Sequence, residues 1–111
     1  MQTLEYSFPA GRVPARRVHL GVVASGDLEI LLEPPAADRS DLVAQVRVRT
    51  SVDGFDTVWQ RVLQRFFERT PLCGRWELND FGATPGTVGL RLRQAAWEAT
   101  ADAPPDPEGR P

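Results

Sequence analysis

This chain of 111 residues contains no lysine, and all thirteen of its basic residues are arginine. The absence excludes a Schiff-base lysine and the lysine of a phosphate-binding P-loop. Fifteen acidic residues outnumber the arginines and give a formal net charge of −2. Because affinity for nucleic acid depends on a basic surface, we expect no nucleic-acid partner.

Histidine and cysteine are each present once, as His19 and Cys73. These two residues lie far apart in sequence and do not supply the clustered ligands of a zinc site, so we expect no metal. His19 could act as a base for Ser25, but an extended chain would place the two residues about 20 Å apart. A nucleophile and its base need a separation of about 3 Å. We therefore expect no catalytic residues and interpret His19 as an ordinary surface residue.

Long apolar runs are also missing, since none approaches the ~20 residues of a membrane-spanning helix. Glu5 stands where a secretion signal would have its apolar stretch. A single cysteine cannot form an internal disulfide, which favours a reducing compartment. We therefore predict a cytoplasmic protein with no membrane partner.

Alternating apolar residues predict four strands in the N-terminal half. They are Leu4, Tyr6 and Phe8; Val18, Leu20 and Val22; Leu28, Ile30 and Leu32; and Ala44, Val46 and Val48. Small and polar residues at 24–27 predict a tight hairpin between the second and third strands. Residues 17–50 are expected to form an antiparallel meander.

The C-terminal half predicts two helices with a strand between them. Apolar residues recur at helical spacing from Phe55 to Phe67, and Trp76 with Leu78 indicates a strand. Thr84-Pro85 is typical of the N-cap and first turn of a second helix. The apolar face of that helix would contain Val88, Leu92, Ala95, Ala96 and Ala99.

These elements predict a two-layer α+β fold, with a mostly antiparallel sheet and two helices packed on one face. We predict one domain over residues 1–100, followed by a disordered tail over residues 101–111, where four prolines lie among charged residues.

Ser25 is expected at the tip of the hairpin, where Ala24 and Gly26 leave its hydroxyl unshielded. The run from Asn79 to Gly86 should join a strand to the second helix, with Gly82 in an unusual backbone conformation. The N–H groups of this run could also hold an anion.

Arginines form two candidate docking surfaces. Arg61, Arg65 and Arg69 recur every four residues on the solvent side of the first helix, and Arg47 and Arg49 share one side of a strand. Each set is either a solvated face or a surface for an acidic partner or for phosphates.

Several collinear segments resemble the acyl carrier subunit, or delta subunit, of biotin-independent malonate decarboxylase. They are Phe8–Gly11, Val22–Pro34, Thr50–Gly54, Asp80–Gly86 and Leu90–Leu92. The similarity covers nearly the whole chain up to the tail. Two positions depart from the usual family pattern, which has Gly where Ala24 stands and His where Asn79 stands.

The resemblance implies that Ser25 bears a phosphodiester-linked 2′-(5″-phosphoribosyl)-3′-dephospho-coenzyme A arm, whose terminal thiol holds an acyl group. The implied partners are an alpha subunit acting as acetyl-ACP:malonate transferase, beta and gamma subunits acting as malonyl-ACP decarboxylase, a malonyl transferase, and the prosthetic-group transferase (holo-ACP synthase). The carrier itself would be non-catalytic.

The residues that we expect to contact the arm or a partner are Gly26, Asp27, Asp80, Gly82, Thr84, Arg61 and Arg65. Asp27 should either contact the prosthetic-group transferase or accept a backbone hydrogen bond in the turn. Three alternatives remain open: a citrate lyase-type acyl carrier protein with the same arm, a non-catalytic interaction module with an unmodified Ser25, and a weak esterase that uses Ser25 and His19.

Overall fold

The computed structural model describes residues 2–21, 26–36 and 42–100. Ala24, Ser25, Val22 and the tail over residues 101–111 lie outside the described residues, so the predictions for them stay predictions. The elements, in chain order, are β1 (Gln2–Pro9), β2 (Val18–Leu20), β3 (Leu28–Glu33), β4 (Val43–Thr50), α1 (Asp56–Arg69), β5 (Gly74–Asp80) and α2 (Pro85–Ala99).

The five strands form one mixed sheet in the order β1-β4-β5-β3-β2. The pair β4 and β5 is parallel, and all other neighbouring pairs are antiparallel. Since parallel neighbours need a crossover connection, α1 joins β4 to β5. The predicted fold class is confirmed, but the predicted meander over residues 17–50 is wrong. Strand β5 separates β3 from β4, and its Trp76 and Leu78 are fully buried at the centre of the sheet.

Alternate residues of all five strands point to one face, and both helices pack on that face. The buried helical residues are Trp59, Leu63 and Phe67 from α1, and Val88, Leu92, Ala95 and Ala99 from α2. Trp76 lies edge-on to Phe66 and Phe67, with ring centroids 5.7 and 5.3 Å away. The indole N–H of Trp76 donates to the carbonyl oxygen of Leu72 at 3.1 Å. The single polar group of this fully buried side chain therefore has a hydrogen-bond partner.

The opposite face of the sheet is polar, and neither α1 nor α2 covers it. Arg47 and Arg49 are exposed there, on one side of β4 as the sequence predicted. His19 is also on this face, where its Nε2 lies 2.8 Å from Oε2 of Glu29 and its side chain is 60% exposed. Of the helices in the described residues, none is long and apolar enough to cross a membrane.

Candidate functional site

Strands β4 and β5 end side by side, and each is followed by a helix. Their last residues, Thr50 and Asp80, are register partners. Strand β3 begins at the same end of the sheet, because Leu28 pairs with Asp80. The crevice outside the carboxyl ends of parallel strands is a common ligand position in sheets with helical crossovers. This end of the sheet is therefore the candidate position for a ligand site.

Gly26, which follows Ser25 in the chain, is fixed to the connection between β5 and α2. Its N–H donates to the carbonyl oxygen of Phe81 at 2.6 Å, and the N–H of Phe81 donates to the carbonyl oxygen of Asp27 at 3.1 Å. Gly26 and Gly82 have φ of 79° and 89°, a conformation that glycine adopts at little cost. The unusual conformation predicted for Gly82 is thus confirmed. A Cβ on Gly26 would meet no heavy atom of the described residues within 4 Å, so the space directly beside Gly26 is open.

Asp27 is bound by an arginine from α2. The Nε and Nη2 atoms of Arg91 donate to its two carboxylate oxygens at 3.1 and 3.0 Å, and the N–H of Leu28 donates to Oδ1 at 2.7 Å. The hydrogen bonds from Arg91, and next from Leu28, lower the pKa of Asp27. Asp27 therefore accepts the backbone hydrogen bond suggested by the sequence, and its negative charge is paired. Its contact with the transferase stays a prediction.

Asp80 is 3% exposed and connects the ends of both parallel strands. Its Oδ1 accepts the N–H of Ala83 at 2.9 Å, and its Oδ2 accepts the hydroxyl of Thr50 at 2.8 Å. The same hydroxyl oxygen accepts the N–H of Val52 at 3.1 Å. One carboxylate thereby orders the first residues of the two connections that lead into α1 and α2.

The start of α2 has the predicted cap, because the Thr84 hydroxyl oxygen accepts the N–H of Thr87 at 3.2 Å and Pro85 opens the helix. Within the run from Asn79 to Gly86, the N–H groups of Phe81 and Ala83 are already bonded to Asp27 and Asp80. This reduces the number of donors that the run from Asn79 to Gly86 could offer to the anion predicted from the sequence.

An apolar groove of about 390 Å³ lies just beyond Thr50 and Asp80, between the first turns of α1 and α2. The described residues that line it are Thr50, Val52, Phe55, Val58, Trp59, Val62, Asp80, Gly82, Ala83, Thr84, Pro85 and Val88. None of these is basic. Phe55 and Val58 belong to the predicted apolar helix pattern, but they are 49% and 39% exposed and sit outside the core. The groove was not predicted, and this surplus of apolar residues at the start of α1 was the sequence signal for it.

Five of the predicted contact residues come together at this end of the sheet: Gly26, Asp27, Asp80, Gly82 and Thr84. Arg61 and Arg65 are exposed on α1 and do not line the groove. Arg91 was missed, because no local pattern links it to Asp27, 64 residues away. Within residues 2–21, 26–36 and 42–100, no three potential metal-ligating side chains form a cluster.

Asn79 stands where the family pattern usually has His, and its side chain is on the polar face of the sheet. Its Nδ2 donates to Oε1 of Glu29 at 2.9 Å, while Oε2 of Glu29 contacts His19. The hydrogen bond from Asn79 is the largest cause of a lowered pKa of Glu29. Asn79 therefore belongs to a hydrogen-bond network on the polar face, and it does not line the groove.

Comparison with known proteins agrees with the resemblance noted in the sequence. Residues 15–99 match the family model described as "Malonate decarboxylase delta subunit (MdcD)". The chain belongs to this family. The malonate decarboxylase acyl carrier protein of Pseudomonas fluorescens (strain SBW25) is 45% identical over 103 residues, which are 92% of this chain and 100% of the relative. That of Burkholderia cepacia is 49% identical over 105 residues, which are 91% of this chain and 93% of the relative.

A solved structure of the family has the same fold. One chain of a Pseudomonas malonate decarboxylase hetero-tetramer, crystallised in complex with malonate, matches with a TM-score of 0.81 and 43% identity. The match covers 89% of this chain and 99% of that chain. The predicted family is confirmed, and malonate decarboxylase is supported over the citrate lyase alternative.

Proposed function

We propose that this chain carries acetyl and malonyl groups as thioesters on a 2′-(5″-phosphoribosyl)-3′-dephospho-coenzyme A arm attached to Ser25. The observation that carries the proposal is a match to acyl carrier proteins along almost the full length of both chains. The open space beside Gly26 supports it, because the arm would begin one residue away. The carrier domain would comprise residues 1–100.

The arm would supply a thiol that holds the acyl group as a thioester, and a thioester favours replacement of the malonyl carboxylate, lost as CO₂, by a proton to give acetyl. Partner subunits would perform the bond-breaking steps: alpha exchanges acetyl for malonyl and releases acetate, and beta with gamma decarboxylates. Tethering makes each encounter effectively intramolecular. In this scheme the chain is a non-catalytic subunit of a cytoplasmic complex.

The residues around the attachment point have roles that follow from their contacts. The hydrogen bond from Gly26 to Phe81 holds the chain next to Ser25 against a rigid strand end. Arg91 pairs with Asp27, so the phosphodiester would not face an uncompensated carboxylate. These contacts would present Ser25 to holo-ACP synthase, which must bring a bulky nucleotide donor up to its hydroxyl.

The exposed arginines of α1 are proposed as a docking surface for the catalytic subunits. Arg61 and Arg65 lie on its solvent side, where they could pair with an acidic patch on the alpha subunit, the beta and gamma subunits, or the malonyl transferase. Rim charges of this kind act mainly on the rate of association. Reversing either charge should therefore slow docking and leave attachment of the arm intact.

Intact mass tests the proposal directly. We expect the chain produced with holo-ACP synthase to be heavier by one phosphoribosyl-dephospho-coenzyme A unit and to show one new reactive thiol. Its own Cys73 is buried, and burial raises the pKa of that thiol, so the arm should account for the signal. Ser25→Ala should abolish both gains, whereas Ser7→Ala, at an exposed position of β1, should keep them.

A gain that survives Ser25→Ala, or native material without added mass, would refute the proposal. An unmodified Ser25 in a native complex would support the interaction module instead. Ester hydrolysis by the purified chain that disappears in both Ser25→Ala and His19→Ala would support the esterase.

A further inference from the structure

We infer that the groove between α1 and α2 shelters the neutral acetyl-thioester end of the arm and rejects the malonyl end. The inference rests on the proposed function, because it requires an arm on Ser25. It adds a second role for this chain: the arm would bind in the groove when it carries acetyl, and it would be free to bind a partner when it carries malonyl.

The groove borders Gly26, the residue after the proposed attachment point. Gly82 lines it, and a Cβ placed on Gly82 would lie 3.9 Å from the backbone nitrogen of Gly26. Gly26 is covalently joined to Ser25. An arm attached one residue before Gly26 would therefore need to span only a short distance to reach the groove.

The shape of the groove suits a small-molecule segment. Its volume of about 390 Å³ lies within the ~300–1,000 Å³ typical of ligand pockets, which are concave and mostly apolar with few polar groups. Phe55 and Val58 are exposed at its edge. Removing these apolar side chains from water would be favourable. Transient binding of the acetyl end of the arm would cover these apolar side chains.

Charge separates the two acyl states. Among the described residues that line the groove there is no cation, and the acidic Asp80 already accepts hydrogen bonds from Ala83 and Thr50. A malonyl carboxylate would meet no cationic side chain among these residues and would lie close to the carboxylate of Asp80, which is unfavourable. An acetyl group carries no charge and meets no such penalty. After decarboxylation the arm should fold back, and after malonyl exchange it should be released.

Amide chemical shifts test the inference in the full chain with its arm, whose attachment is first verified by mass. We expect the acetyl form to shift the amides of Val58, Gly82, Ala83 and Val88 relative to the arm-free chain. The malonyl form should leave these four close to their arm-free positions. Equal shifts in both forms, or shifts in neither, would overturn the inference.

Chemical protection gives a second readout with a matched pair of variants. Val58→Trp fills the groove edge, whereas Gln60→Trp adds the same side chain to an exposed position of α1 outside the groove. A tethered acetyl group has an effective concentration in the millimolar range. If its dissociation constant from the groove is also millimolar, the groove would be occupied about half to three-quarters of the time. Cleavage of the acetyl thioester by hydroxylamine should therefore be about two- to fourfold faster in Val58→Trp than in Gln60→Trp or wild type. Malonyl cleavage should not differ among the three.

Free ligands separate failure of this inference from failure of the proposed function. S-acetylpantetheine added to the arm-free chain should shift the same four amides, and S-malonylpantetheine should not. That result would support the groove even if Ser25 carried no arm. If neither compound acts and the four amides shift only when a catalytic subunit is added, the groove receives a partner side chain and the inference is wrong.

Discussion

The two faces of the sheet are built from alternate residues of the same strands, and they differ in what contacts them. On one face, two helices close over an apolar core around Trp76. On the other face, charged side chains such as Arg47 and Glu77 meet across neighbouring strands and remain partly exposed. The groove belongs to the covered face, at the end where β4 and β5 stop and α1 and α2 begin. The candidate site is therefore a local gap between the helices that cover this face.

Leu31 and Leu32 give the largest expected contrast, since they are adjacent residues of β3 on opposite faces. Leu32 is fully buried, and Leu31 is partly buried between Glu77 and His19 of the neighbouring strands. Leu32→Ala should lower the free energy of unfolding by about 2–5 kcal/mol because it leaves a cavity. Leu31→Ala should lower it by about 0.5–1 kcal/mol. Urea unfolding of the isolated chain measures both, and equal losses would contradict the distinction between the faces.

The link between Thr50 and Asp80 is next in size, and it tests how the groove end is held. Asp80→Ala leaves the N–H of Ala83 and the hydroxyl of Thr50 without their acceptor. We expect a loss of about 1–3 kcal/mol in the free energy of unfolding. Thr50→Val removes the other half of the link and serves as its partner in a double-mutant cycle.

Since the two residues bond each other, the double variant should lose less than the sum of the single variants. Additive losses would show that the two side chains act independently. The groove would then lack the support that we assign to this pair.

Acid should weaken contacts on both faces through carboxylates with a lowered pKa. Arg91 is the main cause for Asp27, and Asn79 is the main cause for Glu29. A carboxylate with a folded pKa below its unfolded value of about 4 stabilises the protein above that pH. This contribution is lost as the pH falls through the folded pKa. Stability should therefore fall on acidification, and Asp27→Asn should make the fall smaller.

Arg91→Gln should flatten the acid side of the profile in the same way, because it removes the main cause of the shift. Urea unfolding over a pH series measures the effect. An acid profile unchanged by both variants would show that the pair between Asp27 and Arg91 does not contribute to stability in solution.

Much of the fold follows from periodicity. The four N-terminal strands and α2 form where alternation, the Thr84 cap and Pro85 predict them. The order of the strands could not be predicted in this way. Local patterns do not specify which edge a strand joins, and β5 lies between β3 and β4 although both precede it in sequence.

The site was predictable only in part. The glycine conformation at residue 82 and the cap at Thr84 could be inferred, because single residues determine them. The pairing of Asp27 with Arg91 depends on packing between distant segments. The groove could not be predicted because Phe55 and Val58 have the spacing of core residues, yet the N-cap Phe55 and the first-turn Val58 are exposed.

Arg47 gives the smallest expected effect and the sharpest check on the polar face. Its guanidinium lies 3.7 Å from Glu5 and 3.8 Å from Glu77, and all three side chains are substantially exposed. Exposed ion pairs contribute about 0.2–1 kcal/mol, and salt screens them. Arg47→Gln should therefore lower the free energy of unfolding by no more than this, and less at high salt. A larger loss that salt does not reduce would mean that this face is packed like the covered one. A small loss would show that the ion pairs of the polar face contribute little to the stability of the fold.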